Sequence, residues 1–122
     1  MGTFAVKETK SGIKFNLKAT NGQIIATSEV YKSEASCNKG IASVAKNAQI
    51  ASVEDQTVEG YAVEKNPKFE IYKDKADEFR FRLKAKNGQI IAVSEGYKTM
   101  KSCVNGIESV RKNSADAKIV KE

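Results

Sequence analysis

The residues that could carry out chemistry in this chain are few, and most of them occur twice. No histidine occurs among the 122 residues, which removes the usual general base near neutral pH and the commonest imidazole metal ligand. The two cysteines, Cys37 and Cys103, lie 66 positions apart and form no CxxC pair. Neither a P-loop nor a GxGxxG motif is present. The sequence therefore predicts a protein that is not an enzyme and has no cofactor and no metal site.

Two duplicated pairs of polar side chains remain as candidates. Glu29 and Glu95 could act as acid or base, but each lies near a predicted strand end beside lysines, where exposed surface charge is the ordinary explanation. Tyr31 and Tyr97 directly precede predicted helices. They either close the edge of the core with the hydroxyl in water or form a pair of equivalent ligand sites. We rank the ligand-site interpretation second.

A basic strip in the second half of the chain is the main candidate for a binding site. Four cations alternate with apolar residues along one predicted strand, so they are expected to share the sheet face opposite the helices. Cations beside an aromatic ring on an open sheet are typical of single-stranded nucleic-acid binding, but no RNP-type aromatic pattern occurs. Glu70 and Glu95 are expected to neutralise part of the strip. The predicted binding face consists of Tyr72, Arg80, Arg82, Lys84, Lys86, Ile91 and Val93.

An internal repeat indicates the elements that must position these side chains. Residues 15–47 recur as residues 81–113, with 22 of the 33 paired positions identical. Each copy must adopt the same local structure, and a copy of this size is marginal alone because small domains bury too little of their chain. We therefore predict one structural domain built from repeat 1, residues 1–60, and repeat 2, residues 61–122.

Each repeat is predicted to contain a hairpin that fixes which residues face the core. Asn21-Gly22 and Asn87-Gly88 are typical of a two-residue type I′ turn, in which both central residues have positive φ. Such a turn pairs Ala19 with Ile24, and directly opposed residues share a face. The register predicts a core position for Ile24, Ala26, Ile90 and Ala92, and an outer position for Ile25, Thr27, Ile91 and Val93.

A helix is predicted after each hairpin, and a last strand follows it, so that each repeat reads β-β-β-α-β. Ser33 and Thr99 are favourable N-cap residues. Cys37 and Cys103 lie on the apolar stripes of the helices, which indicates packed thiols rather than redox centres. Gly106, like its counterpart in repeat 1, lies inside the helix, where glycine costs about 1 kcal/mol. This predicts close packing between helix and sheet.

A resemblance to the YegP-like family of uncharacterised bacterial proteins, in its tandem-duplicated form, is carried by residues 69–74, 78–85, 87–92, 94–97 and 105–110. It spans both repeats. The resemblance implies an α+β fold of two β(3)-α-β units that form one antiparallel sheet, with two helices on one face and the terminal strands exchanged between units. Single-unit relatives would form the same arrangement as homodimers. No activity and no functional residues accompany the family name.

Charge and composition suggest where the protein acts and with what. The net charge is +6, of which residues 61–122 contribute +5; such asymmetry can mark a polyanion-binding half, but lysine-rich surfaces also serve solubility. No apolar run approaches the roughly 20 residues of a membrane helix, and the start lacks signal-peptide order. We expect a cytoplasmic monomer, an internal pseudo-dimer with no membrane partner. It would bind an unknown protein or small ligand, or alternatively nucleic acid.

Overall fold

Both repeats form the strands and the helix that their sequence patterns predict. The computed structural model describes residues 2–122. Its elements, in chain order, are β1 (Thr3–Thr9), β2 (Gly12–Lys18), β3 (Ile24–Thr27), α1 (Glu34–Ile50), β4 (Ser52–Asp55), β5 (Lys68–Lys73), β6 (Phe79–Lys84), β7 (Ile90–Val93), α2 (Met100–Ser114) and β8 (Lys118–Lys121).

The eight strands form one sheet in the order β4-β5-β6-β7-β3-β2-β1-β8, and the repeats meet where β3 pairs with β7. The last strand of each repeat joins the other repeat, since β4 pairs with β5 and β8 pairs with β1. The predicted α+β fold of two β(3)-α-β repeats is confirmed. The two edge pairs run parallel rather than antiparallel. Residues 56–67 supply the crossover from β4 to β5, which in a parallel pair takes about a dozen residues.

The helices begin and pack as the sequence predicts. Ser33 Oγ accepts a hydrogen bond from Ser36 N–H, and Thr99 Oγ1 accepts one from Ser102 N–H, both at 3.1 Å. The buried stripes of both helices and the inward strand residues belong to one core. Two edge-to-face phenylalanine pairs, with ring centroids 5.5 and 5.7 Å apart, lie within it. Within residues 2–122, neither helix combines the length and hydropathy needed to cross a membrane.

Cys37 and Cys103 carry free thiols that are fully buried. Burial raises the pKa of both, and that of Cys103 to about 11. Because the thiolate is the reactive form, we expect Ellman's reagent to modify neither cysteine in the native protein at neutral pH and both after denaturation. Rapid modification of either thiol in the native protein would contradict the packed-thiol interpretation.

The hairpins turn differently from the type I′ turn that Asn-Gly predicted. Gly22 N–H donates to Ala19 O at 2.8 Å, and Ala19 N–H donates to Gln23 O at 2.9 Å. Gly22 has a φ of 85°, whereas Asn21 keeps a negative φ and its Oδ1 accepts from Gln23 N–H at 3.0 Å. This is a type I turn followed by a left-handed glycine. The predicted two-residue turn is wrong, and the second hairpin repeats the observed geometry around Gly88.

The observed turn changes which isoleucine faces the core. Lys84, rather than Ala85, lies opposite Ile90, and the register shifts at this point. The β-bulge leaves Ile91 as the extra residue of its strand. Consequently Ile90 is 37% exposed and Ile91 only 4%. The prediction that placed Ile91 on the outer face and Ile90 in the core is wrong, and the equivalent pair in repeat 1 is exchanged in the same way.

Candidate functional site

The sheet face opposite the helices, hereafter the outer face, differs between the two repeats. A row of residues crosses this face, one from each strand, in which each residue lies opposite the next on the neighbouring strand. The half of this row beside β4 is charged, whereas the half of the row beside β8 is neutral. From β4 to β8 the row reads Glu54, Glu70, Arg82, Val93, Thr27, Asn16, Ala5 and Val120.

Five charged side chains in the charged half form what we call the ion cluster. Lys68 Nζ lies 2.8 Å from Glu54 Oε1 and 3.2 Å from Glu70 Oε2. Arg82 Nε lies 2.6 Å from Glu70 Oε1, and Lys84 Nζ lies 3.2 Å from Glu70 Oε2. With three cations and two carboxylates, the cluster has a net charge of only +1. The neutralisation of the strip that the sequence predicted for Glu70 is confirmed.

Glu54 ties the connection of residues 56–67 to the sheet. Its Oε2 accepts from Gln56 Nε2 at 2.6 Å, and its Oε1 accepts from Glu64 N–H at 2.7 Å. Burial by itself would raise the pKa of this carboxyl. The hydrogen bonds from Lys68, Gln56 and Glu64 outweigh that effect and hold the pKa at about 2. Glu54 is therefore an ionised carboxylate with every bond directed at its own chain.

Two residues of the predicted binding face lie elsewhere. Ile91 belongs to the core because the β-bulge turns its side chain away from the outer face. Lys86 follows β6 and lies in the turn, where strand alternation no longer applies, and it lines a groove beside α1. The other five residues do share the outer face; they are Tyr72, Arg80, Arg82, Lys84 and Val93.

The three cations of the predicted binding face that lie on the outer face are already paired. Arg80 Nε lies 2.6 Å from Asp74 Oδ2, and both Arg82 and Lys84 belong to the ion cluster. The guanidinium carbon of Arg82 lies 4.5 Å from the ring centre of Tyr72, so the aromatic neighbour that the sequence predicted is stacked on a cation of its own chain. A phosphate that binds here would compete with these contacts.

A cleft of about 620 Å³, which we call the seam cleft, opens on the outer face where the repeats meet. Thr27 and Val93 form the pair that joins β3 to β7. Sequence reasoning missed this cleft, because its apolar walls include isoleucines whose outward orientation depends on the hairpin bulges. The outward side chains that line it from the four central positions of these strands are Ile24, Thr27, Ile90 and Val93.

The charged groups of the seam cleft are mainly acidic. Glu29 and Glu95 both line it and are exposed, as the sequence predicted for them. Glu29 Oε1 accepts from Gln89 Nε2 at 3.0 Å, which leaves its charge intact. Arg80 also lines the cleft, but its charge is offset by Asp74 and its Nη1 donates to a backbone carbonyl. The rim therefore has a net negative charge.

Tyr31 and Tyr97 occupy equivalent positions at the edge of the core. Each ring stacks on a core phenylalanine, with centroids 6.2 and 6.3 Å apart. Burial raises the pKa of both hydroxyls, and the nearby charges of Glu29 and Glu95 raise it further. Tyr31 lines a small groove beside α1. The packing fits the core-edge role, and the ligand-site role stays a prediction.

Comparison with known proteins finds relatives along the whole chain. The family model described as "Domain of unknown function (DUF1508)" matches residues 10–55 and again residues 74–120. The UPF0339 protein YegP of Yersinia pestis is 44% identical over 93% of this chain and 88% of its own length. A UPF0339 protein of Treponema denticola is 64% identical, but it covers 43% of this chain with 91% of its own length. That relative therefore matches a single repeat.

Solved structures share this architecture. The solution NMR structure of yegP from E. coli, described as a protein of unknown function, has a TM-score of 0.79 and 32% sequence identity, covering 99% of this chain and 92% of that one. The solution NMR structure of UPF0339 protein SO3888 from Shewanella oneidensis has a TM-score of 0.80 and 31% identity, covering 98% of this chain and 90% of that one.

Proposed function

We propose that this chain, which belongs to the DUF1508 family, is a non-enzymatic binding module whose seam cleft holds a small ligand. The family is the YegP-like group that its sequence resembles. The family has no named activity, so the proposal rests on the site. The observation that carries it is the seam cleft itself. Its volume of about 620 Å³ lies within the roughly 300–1,000 Å³ of small-molecule sites.

The lining of the seam cleft defines the class of ligand. Apolar surface forms most of its walls, which favours a ligand with a hydrocarbon or aromatic body. Glu29 and Glu95 add two carboxylates, and the one guanidinium, that of Arg80, is committed to Asp74. Electrostatic complementarity therefore favours a cationic head group. The ligand class that fits is a small apolar amine.

The nucleic-acid alternative uses the same face and is less well supported. Each of its central cations, Arg80, Arg82 and Lys84, lies within ion-pair distance of a carboxylate. Binding of phosphates releases counterions in proportion to the cations that are free to neutralise them. The paired strip offers few such cations, so we expect weak binding of oligonucleotides to this face.

Two probes of similar size and opposite charge test the proposal by amide NMR. Phenethylamine is expected to shift the signals of Ile24, Thr27, Ile90 and Val93, with an affinity in about the millimolar range of so small a ligand. Phenylacetate, which has the same ring and the opposite charge, is expected to leave these signals in place. Equal shifts with both probes, or amine shifts confined to other surfaces, would overturn the proposal.

A charge-matched pair of variants checks the acidic rim. Glu95→Gln is expected to weaken phenethylamine binding about two- to fivefold, as for an exposed charge pair. Asp116→Asn removes an exposed carboxylate outside the cleft and is expected to leave the affinity unchanged.

A titration with oligodeoxythymidine tests the nucleic-acid alternative. Tight binding that falls steeply between about 50 and 200 mM salt, with shifts on the outer face, would replace the amine proposal by that alternative.

A further inference from the structure

A second concave surface lies on the helix side, where the turn of repeat 2 meets α1. This surface, which we call the turn groove, has a volume of about 370 Å³. We propose that the turn groove binds a ligand that carries two or more phosphate groups. Its polar lining residues are Lys39, Ser43, Lys46 and Asn47 of α1, with Lys86 and Asn87 of the turn.

The charge of the turn groove is uncompensated. None of the residues that line it is acidic. The ion pairs of the described residues engage lysines at other positions, so no carboxylate of the described residues is paired with Lys39, Lys46 or Lys86. Three like charges around one concavity repel one another, and an anion bound between them would relieve that repulsion.

The spacing of the lysines favours an elongated anion. Lys39 and Lys46 lie seven positions apart on α1, two turns along the same side of the helix, which corresponds to about 10 Å. Lys86 lines the same groove from the turn. Lysine binds phosphate as a flexible point charge. Charges distributed over this length suit a chain of phosphates better than a single phosphate ion.

Hydrogen-bond donors complete the turn groove. Asn47 Nδ2 donates to Ser43 O at 2.8 Å and to Ser43 Oγ at 3.0 Å. Since Ser43 Oγ accepts this bond, its own hydroxyl proton remains available to a ligand. Asn47 is buried and held by these bonds, so the serine hydroxyl has a fixed environment. The groove thus offers a hydroxyl donor between its two helical lysines.

Repeat 1 provides a matched groove that lacks this charge. Its walls are the corresponding turn and α2. Asn113 makes the same two bonds to Ser109, with lengths of 2.9 and 3.0 Å. The positions of Lys39 and Lys86 are occupied by Asn105 and Thr20. That groove contains one lysine and one glutamate. The fold therefore produces both concavities, whereas only the turn groove is strongly basic.

The test is an amide NMR titration with sodium tripolyphosphate at about 50 mM salt, where charge contacts are weakly screened. We expect saturable shifts in residues 39–47 and 85–89, and none in the matched groove. Inorganic phosphate is expected to bind at least about tenfold more weakly, since it reaches fewer lysines. ATP, titrated alongside, distinguishes a nucleotide from a bare phosphate chain as the source of the phosphates. Shifts distributed over all exposed lysines would overturn the proposal.

Two double variants separate a site from general electrostatics. Lys39→Asn with Lys86→Thr copies the matched groove and is expected to weaken tripolyphosphate binding at least about tenfold. Lys101→Asn with Lys75→Thr removes the same charge from exposed positions outside the groove and is expected to have little effect. Equal losses in both variants would show that only net charge matters and would overturn the proposal. Tighter binding of oligodeoxythymidine than of tripolyphosphate at these residues would identify a nucleic-acid site instead, and it would also overturn the proposal.

Discussion

Replacing Glu54 with valine is expected to lower the free energy of unfolding by about 3 kcal/mol, the range seen when one member of a buried ion pair is removed. The change leaves Lys68 buried with only Glu70 as its anionic partner, at 3.2 Å. It also removes the acceptor for Gln56 and for Glu64 N–H, which hold the connection of residues 56–67. Urea denaturation at neutral pH measures the loss. A change below about 0.5 kcal/mol, typical of ordinary surface substitutions, would contradict the role of Glu54.

The neutral half of the row across the outer face supplies the control for this variant. At the opposite edge of the sheet, where β8 pairs with β1, the positions that correspond to Glu54 and Lys68 hold Val120 and Thr3. Well-packed neutral residues often replace a buried ion cluster without loss of stability. Adding Lys68→Thr to Glu54→Val removes the cation that has lost its nearer carboxylate, so the double variant is expected to be more stable than the single one. A further loss in the double variant would show that Glu70 alone is a sufficient partner for Lys68.

The Glu54 effect is also expected to depend on pH. The pKa of its carboxyl is held at about 2, below the ordinary 4.5, and that of Glu70 is also lowered: burial would raise it, but bonds from Arg82, Lys68 and Lys84 outweigh burial. A lowered carboxyl pKa stabilises the fold above the ordinary value, and this stability is lost as pH falls towards the folded-state value. Thermal denaturation should show the difference between wild type and Glu54→Val shrinking over that acid range. A constant difference would contradict an ionised Glu54.

Replacing Gly106 with alanine is expected to lower the free energy of unfolding by about 1–3 kcal/mol, as overpacking does. The sign is opposite to helix propensity, which favours alanine over glycine by about 1 kcal/mol. A Cβ at Gly106 would lie 2.5 Å from Tyr97 Oη and 3.0 Å from Phe81 Cε2. The hydroxyl of Tyr97 thus occupies the space that a side chain would need.

A second substitution and a neighbouring control make the Gly106 prediction specific. Adding Tyr97→Phe removes the hydroxyl and is expected to recover part of the loss. Asn105→Ala, on the exposed side of α2, is expected to raise stability by a few tenths of a kcal/mol, about what propensity predicts. Urea denaturation measures all three variants. A gain in stability for Gly106→Ala alone would show that the helix and the ring do not approach so closely.

Local sequence signals predicted the helices and their packing well. Ser33 and Thr99 cap the helices because a hydroxyl before a helix has a partner within three residues. The stripe around Cys37 and Cys103 is buried because a period of 3.6 residues leaves one side of a helix facing the sheet. Gly106 indicated close packing, although the contacting group, Tyr97, could not be identified from spacing alone.

The predictions that failed involve geometry that differs by a single residue. Asn-Gly fits both a type I′ turn and a type I turn closed by glycine, and the choice moved Ile91 from the outer face to the core. The Glu54–Lys68 part of the ion cluster was missed for a different reason. Glu54 and Lys68 meet only because β4 pairs with β5, a contact between repeats that no local pattern indicates. The seam cleft likewise depends on how β3 meets β7.

The fusion of the two repeats into one chain has a consequence for evolution. In a homodimer of single repeats, every substitution near the two-fold axis is made twice, so any site on the axis remains symmetric. Covalent fusion removes that constraint. Thr27 faces Val93 in this chain, a pairing of unlike residues that no homodimer can have at its axis. The fused chain can therefore adapt its central surface to a ligand that has two different ends.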